Sequence, residues 1–140
     1  MAILLLVFWR IKIMIYVFDI DGTICNNTYG DYDNAEPKQD RIEKNNKLYD
    51  EGNTIIYQTA RGMGRTNNNV IKAYQIFYAY TAKQLEQWGV KYHDLFMGKP
   101  NGDIYIDDKA CNIYQLADKC EAQVDRLITK LEQFLGDPNV

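Results

Sequence analysis

Ile15-Tyr16-Val17-Phe18-Asp19-Ile20-Asp21-Gly22-Thr23 is the stretch that decides how this chain is read. An apolar strand closing on two carboxylates is costly to build, because neighbouring carboxylates repel unless a cation or a proton neutralises them. The arrangement implies a divalent metal and a nucleophilic acid, with Gly22 letting the backbone approach an anion closely. Taken alone, Asp19–Thr23 also suits an ordinary strand-to-turn junction rich in Asp and Gly.

Three later segments decide between these readings. Ile55-Ile56-Tyr57-Gln58-Thr59-Ala60-Arg61-Gly62 is an apolar strand that delivers a hydroxyl and then a guanidinium. Met97-Gly98-Lys99-Pro100 places a lone lysine after the short apolar piece Leu95-Phe96-Met97. Ile104-Tyr105-Ile106-Asp107-Asp108-Lys109-Ala110 is a β-rich run that again closes on paired carboxylates. In an open parallel sheet, ligands bind outside the carboxyl ends of the strands. Four strand ends would therefore bring Asp-x-Asp, Thr, Lys and Asp-Asp to one crevice, a site for a phosphate and a hard divalent cation.

This order of motifs resembles the haloacid dehalogenase superfamily of phosphotransferases, over about Met14 to Asn112. The stretch from Trp88-Gly89-Val90-Lys91-Tyr92 through Gly98-Lys99-Pro100 to Asp107-Asp108-Lys109 is similar to small capless members of bacteria and phages, described as capsule or lipopolysaccharide biosynthesis phosphatases. The resemblance implies Asp19 as nucleophile, forming an aspartyl phosphate, and Asp21 as general acid and then general base. It implies Mg2+ held by Asp19, the main-chain carbonyl of Asp21, Asp107 and Asp108, directly or through water at the last of these. Thr59 would donate its hydroxyl to the phosphate, helped by backbone amides near Ile20 and Ala60, and Lys99 would offset negative charge. Arg61 either grips the substrate or is a surface guanidinium, and Asp103 simply opens its strand.

Composition bounds the alternatives. The chain has 140 residues, 46% of them hydrophobic and 25% charged, which suits one globular domain with a substantial core. A net charge of −3 and no Lys/Arg cluster argue against nucleic acid as the principal ligand. Cys25, Cys111 and Cys120 lack metal-ligand spacing and fit a reducing cytoplasm. Cys25 reads as a small buried filler near the site, and His93, the only histidine, as structural or surface. Met1–Trp9 is apolar but shorter than the roughly 20 residues a membrane span needs. Residues 1–13 are therefore set apart as an extension without a catalytic role, an added strand or a weak membrane-surface anchor being the alternatives, and 14–140 as the phosphatase domain.

Periodicity supplies the remaining elements. Lys12–Phe18 reads as a central strand covered on both faces, Cys25–Glu36 as a polar flap, Lys38–Asp50 as a helix and Thr54–Gln58 as the second strand. Val70, Tyr74, Phe77, Tyr78, Thr81, Leu85 and Trp88 mark a long amphipathic helix ended by Gly89. Strands at Leu95–Met97 and Asp103–Ile106 follow, then a helix over Asn112–Lys119 and a last helix carrying Val124, Leu127, Ile128, Leu131, Phe134 and Leu135 on one face. The alternation predicts a three-layer α/β sandwich around a mostly parallel, Rossmann-like sheet. Forty positions separate Asp19 from Thr59, and forty separate Thr59 from Lys99, too few for a folded cap.

The expected activity is a cytoplasmic, Mg2+-dependent phosphatase acting on a small phosphorylated metabolite, sugar phosphates first and nucleotides next. A homo-oligomer would help enclose so open a site. A binding or assembly module on the same fold is the competing reading. A response-regulator receiver also uses Asp, Thr and Lys at strand ends, but there the acidic pair comes first and a single phospho-accepting Asp follows. Here Asp-x-Asp leads and Asp-Asp closes the series.

Overall fold

The computed structural model describes residues 13–116 and 128–136. The chain divides into two compact units, Lys12–Asp103 and a second made of Met1–Ile11 with Ile104–Val140. The first unit runs β1 (Ile15–Phe18), α1 (Gln39–Asp50), β2 (Thr54–Gln58), α2 (Val70–Gln87) and β3 (Asp94–Phe96), with a 3-10 turn at Tyr32–Asn34. The strands form a parallel sheet in the order β1-β2-β3, with Phe18 opposite Tyr57 and Gln58 opposite Phe96.

Both crossovers step the same way along the sheet, so right-handed connections put α1 and α2 on one face. That face carries Phe18, Ile55, Tyr57 and Leu95, all buried. Asn45 of α1 reaches across to it and donates to the Tyr57 hydroxyl at 3.0 Å. The alternate residues lie on the other face, where Ile15 and Val17 are 68% and 58% exposed within this structure.

Sequence marks the helix ends. The Asn69 side chain accepts from the Lys72 amide and caps α2. At the far end Gly89, at φ +72°, donates to Glu86 while the Val90 amide reaches back to Leu85 at 3.0 Å. This pair of bonds is a Schellman ending, and the left-handed residue it requires is most easily glycine. Ala73, Phe77, Thr81, Gln84 and Leu85 form the buried stripe of α2. Val70 and Tyr78, expected on that stripe, are 44% and 41% exposed, so the buried face is rotated toward Ala73 and Gln84.

Other boundaries differ from expectation as well. β1 is an edge strand among the described residues rather than a central one, and its Ile15–Val17 face is open. β3 starts one residue earlier than expected, at Asp94, because His93 already joins the Ile55 peptide through its own backbone amide at 2.8 Å. Residues 103–106 form no strand: Ile104, Tyr105 and Ile106 are 79%, 50% and 95% exposed. A short apolar run becomes a strand only with a partner ladder, and the run ends where the Asp107 side chain captures the Lys109 amide at 2.7 Å to make a turn.

The helix expected from Asn112 begins as a 3-10 turn, Ile113–Gln115, with Asn112 accepting from the Tyr114 amide. Its remainder to Lys119, most of residues 1–13, and the Val124 and Leu127 positions of the last helix lie outside the described residues. Residues 128–135 are helical, with Phe134 and Leu135 exposed. Among the described residues no helix is long and apolar enough to cross a membrane.

Candidate active site

Parallel pairing sets the site. Phe18 lies opposite Tyr57 and Gln58 opposite Phe96, so the residues that follow leave the sheet at one common edge. Asp19 follows β1 directly, Thr59 follows β2, and Lys99 comes three residues after the end of β3. The peptides bind these exits together: the Thr59 amide donates to Phe96 at 2.9 Å and the Lys99 amide to the Thr59 carbonyl at 3.2 Å.

After β1 the chain turns tightly, with the Thr23 and Ile24 amides donating to the Ile20 carbonyl at 3.0 and 2.9 Å. The Ile20 side chain is fully buried and anchors this turn. The Asp19 carboxylate receives the Thr23 hydroxyl at 3.3 Å and meets the Lys99 ammonium at 3.4 Å. Burial raises the Asp19 carboxyl above its usual value, while the Lys99 charge and the Ile20 amide pull the other way. A carboxylate short of water beside a single ammonium suits a group that must attack, since little hydration has to be stripped from it.

Gly98 aims the lysine. It sits at φ +88°, and a Cβ there would come within 2.8 Å of Val70 Cγ1. Only a residue without a side chain lets the Lys99 loop lie this close to the first turn of α2.

The Thr59 side chain is 1% exposed, and its Oγ1 accepts from the Arg61 amide at 3.1 Å. That bond uses only the acceptor capacity of the hydroxyl. The Ala60 carbonyl accepts from Met63 at 2.9 Å and starts the loop that leads to α2.

Arg61 is neither a surface guanidinium nor a grip for substrate. It is 1% exposed and clamps Asp21, with Nε donating to Oδ2 at 2.9 Å and Nη2 to Oδ1 at 3.0 Å. Nη1 donates to Gln84 Oε1 at 2.7 Å, and the Tyr32 ring lies 4.5 Å from the guanidinium carbon. A signal for this was present in the sequence: Thr81 and Gln84 are polar positions on the inward side of an otherwise apolar helix, and buried polar groups need partners.

The flap is fastened rather than loose. Cys25 bridges both Asp21 and Pro37, the Asn26 amide donates to Glu36 at 3.1 Å, and the Gln84 amide group donates to the Tyr32 carbonyl at 2.8 Å. Asp33 accepts the Tyr80 hydroxyl of α2, and Arg65 Nη2 donates to the Gly30 carbonyl at 2.9 Å. Cys25 itself is fully buried, with its thiol pushed up to about 12 by burial and then by the Asp21 charge, as befits a filler. His93 is structural: Nδ1 accepts from the Ile55 amide at 3.0 Å, and the ring stacks on Tyr49.

Asp107 and Asp108 belong to the second unit, where both are exposed. The Lys109 amide holds the Asp107 carboxyl below its usual value. Among the described residues no three acidic, histidine or cysteine side chains gather as a metal site. Asp19 offers a hard carboxylate oxygen, and the carbonyl of Asp21 is another donor of the type Mg2+ accepts. A hollow at the far end of α2, lined by Lys83, Glu86, Val90, Lys91 and Tyr92, includes none of these residues.

No protein-family model matches the chain. No curated protein matches it either. Among solved structures the chain is similar to a structural-genomics target from Vibrio cholerae, with 27% identity, a TM-score of 0.72, and coverage of 81% of this chain and 98% of that one. The shared fold is an α/β sandwich.

Proposed function

We propose that the protein is a phosphatase that hydrolyses a small phosphomonoester through an aspartyl phosphate on Asp19. The observation that carries this reading is the Asp19 carboxylate at the end of a parallel strand, buried enough to raise its pKa and 3.4 Å from Lys99. An Asp oxygen forms a bond to phosphorus while the ester oxygen departs with the bonding pair, and Asp21 supplies that oxygen with a proton. Water then attacks the phosphoenzyme, its proton passes to Asp21, and the Asp19 carboxylate and inorganic phosphate are released. Lys99 offsets charge on Asp19 and the phosphate, and Thr59 has a hydroxyl hydrogen left to donate to a phosphate oxygen.

The donors present fit a hard cation, so Asp19 and the Asp21 carbonyl would hold Mg2+, with Asp107 and Asp108 added by the resemblance to the haloacid dehalogenase superfamily. When bound, Mg2+ would neutralise charge on the phosphate and on the attacking carboxylate. Sugar phosphates are the favoured substrates and nucleotides the next. Free Cys25 and Cys111 agree with a cytoplasmic setting. Exposed Ile71, Ile76 and Tyr78 on α2 agree with a homo-oligomer.

The test is release of inorganic phosphate from a panel of phosphorylated sugars and nucleotides, with Mg2+ and with a chelator, using wild type and Asp19→Asn. Metal-dependent turnover that disappears in Asp19→Asn is expected. Undiminished activity in that variant would remove Asp19 from the mechanism.

A further inference from the structure

The Arg61 guanidinium takes no direct part in the reaction just described, yet it is the most completely enclosed charge among the described residues. Two of its nitrogens bond the two oxygens of Asp21 at 2.9 and 3.0 Å. The third bonds Gln84 at 2.7 Å and lies 3.5 Å from the Thr81 hydroxyl. The Tyr32 ring covers its face at 4.5 Å. All three of its nitrogens are thus engaged inside the protein rather than turned to a substrate. A planar fork held at its far end and stacked on one face has a single resting place, and a carboxylate bonded to it twice takes its plane from the fork.

We propose that Arg61 is the positioning residue of Asp21, setting the rotamer and plane of the acid–base carboxylate, while Tyr32, Thr81 and Gln84 hold Arg61 in turn. This rests on the phosphatase reading above. The flap and α2, which never touch the phosphate in this scheme, thereby control how the carboxylate is aimed.

The two half-reactions depend on that aim unequally. In the first, an Asp19 oxygen bonds phosphorus, the phosphorus–oxygen bond to the leaving group breaks, and an aryloxide leaves with the electron pair and needs no proton. In the second, a water oxygen bonds phosphorus, the water proton passes to Asp21, and the Asp19–phosphorus bond breaks with its pair returning to the carboxylate. With an aryl phosphate, only the second step needs Asp21.

Rapid mixing of the full chain with para-nitrophenyl phosphate and Mg2+ therefore tests the proposal. Arg61→Ala should give a burst of nitrophenolate, then a steady rate about 10²- to 10⁴-fold below wild type, with KM falling alongside because the phosphoenzyme accumulates. The double variant Asp21→Asn/Arg61→Ala should lose no more than Asp21→Asn alone, because both remove one function. Arg61→Lys should recover only part of the rate, since an ammonium cannot form the fork. Gln84→Ala keeps the Asp21–Arg61 pair intact, so it preserves the test should Arg61→Ala not fold; it should show a smaller loss of the same kind. Multiplying losses in the double variant, a loss confined to KM, or no burst would overturn the positioning role alone. A wild type that is inert, or indifferent to Asp19→Asn, would overturn the phosphatase reading and this role together.

Discussion

Arg61 and Asp21 are forty positions apart in sequence and meet through two parallel hydrogen bonds of 2.9 and 3.0 Å, one to each carboxylate oxygen. The Arg61 side chain is fully buried and that of Asp21 is 20% exposed. A pair in this setting contributes little net stability compared with an apolar pair of the same shape. Its consequence appears when one member is removed, because a charge is then left inside without a partner.

Asp21→Ala should therefore cost about 3–5 kcal/mol of stability, most of it from the stranded guanidinium. Asp21→Ala/Arg61→Met should regain part of that loss, although each substitution removes a polar group. Urea unfolding of the three proteins checks this. A double variant less stable than Asp21→Ala would mean that Arg61 stabilises the fold through Gln84 and Tyr32 rather than through Asp21.

Asp19 gives the opposite sign. Its carboxyl is raised in the folded protein, first by burial and against the pull of Lys99, so the folded state holds its proton to higher pH than the unfolded chain does. Stability then falls as pH rises from the ordinary carboxylate value of 3.8 through the raised one. Asp19→Asn carries no such titration. With a chelator present, its Tm should exceed that of wild type at pH 7, and the gap should narrow as the pH is lowered toward 4. A gap that widens on acidification would show that Lys99 outweighs burial at this carboxylate.

Much of the first unit was legible in the sequence, and the misses share a cause. Thr54–Gln58 is a strand as read, α1 and α2 fall within a residue of their expected ends, and Gly89 stops α2. These features depend on local rules: a capping side chain, a period, a left-handed glycine. Thr81 and Gln84 signalled a buried polar partner for α2, but the Arg61 clamp itself was not legible, because which inward position faces the end of β2 is a matter of packing. Residues 103–106 show the converse, since their apolar character satisfied the local rule while the ladder partner it required is missing among the described residues. Of the residues expected in the site, Asp19 and Lys99 meet directly, and Thr59 joins them through the hydrogen bond its carbonyl accepts from the Lys99 amide. Asp107 and Asp108 stand in the second unit, where sequence pattern alone speaks for a role with the metal.

Gly98 offers the most local test of how the lysine is held. At φ +88° any other residue is strained, and an added Cβ would press on Val70 Cγ1 at 2.8 Å. Gly98→Ala should cost about 1–2 kcal/mol from the left-handed backbone alone, with the clash adding to it. Adding Val70→Ala should relieve the clash and leave the backbone strain. The functional effect should exceed the loss of stability, because a shift of about 1 Å in the Lys99 ammonium, which sits 3.4 Å from Asp19, can reduce turnover by about 100-fold. Comparing kcat/KM with urea midpoints for Gly98→Ala and for Gly98→Ala/Val70→Ala separates the two effects. If Val70→Ala restores stability in part and turnover not at all, the lysine is placed by the glycine conformation itself. If both return together, it is placed by the packing of the loop against α2.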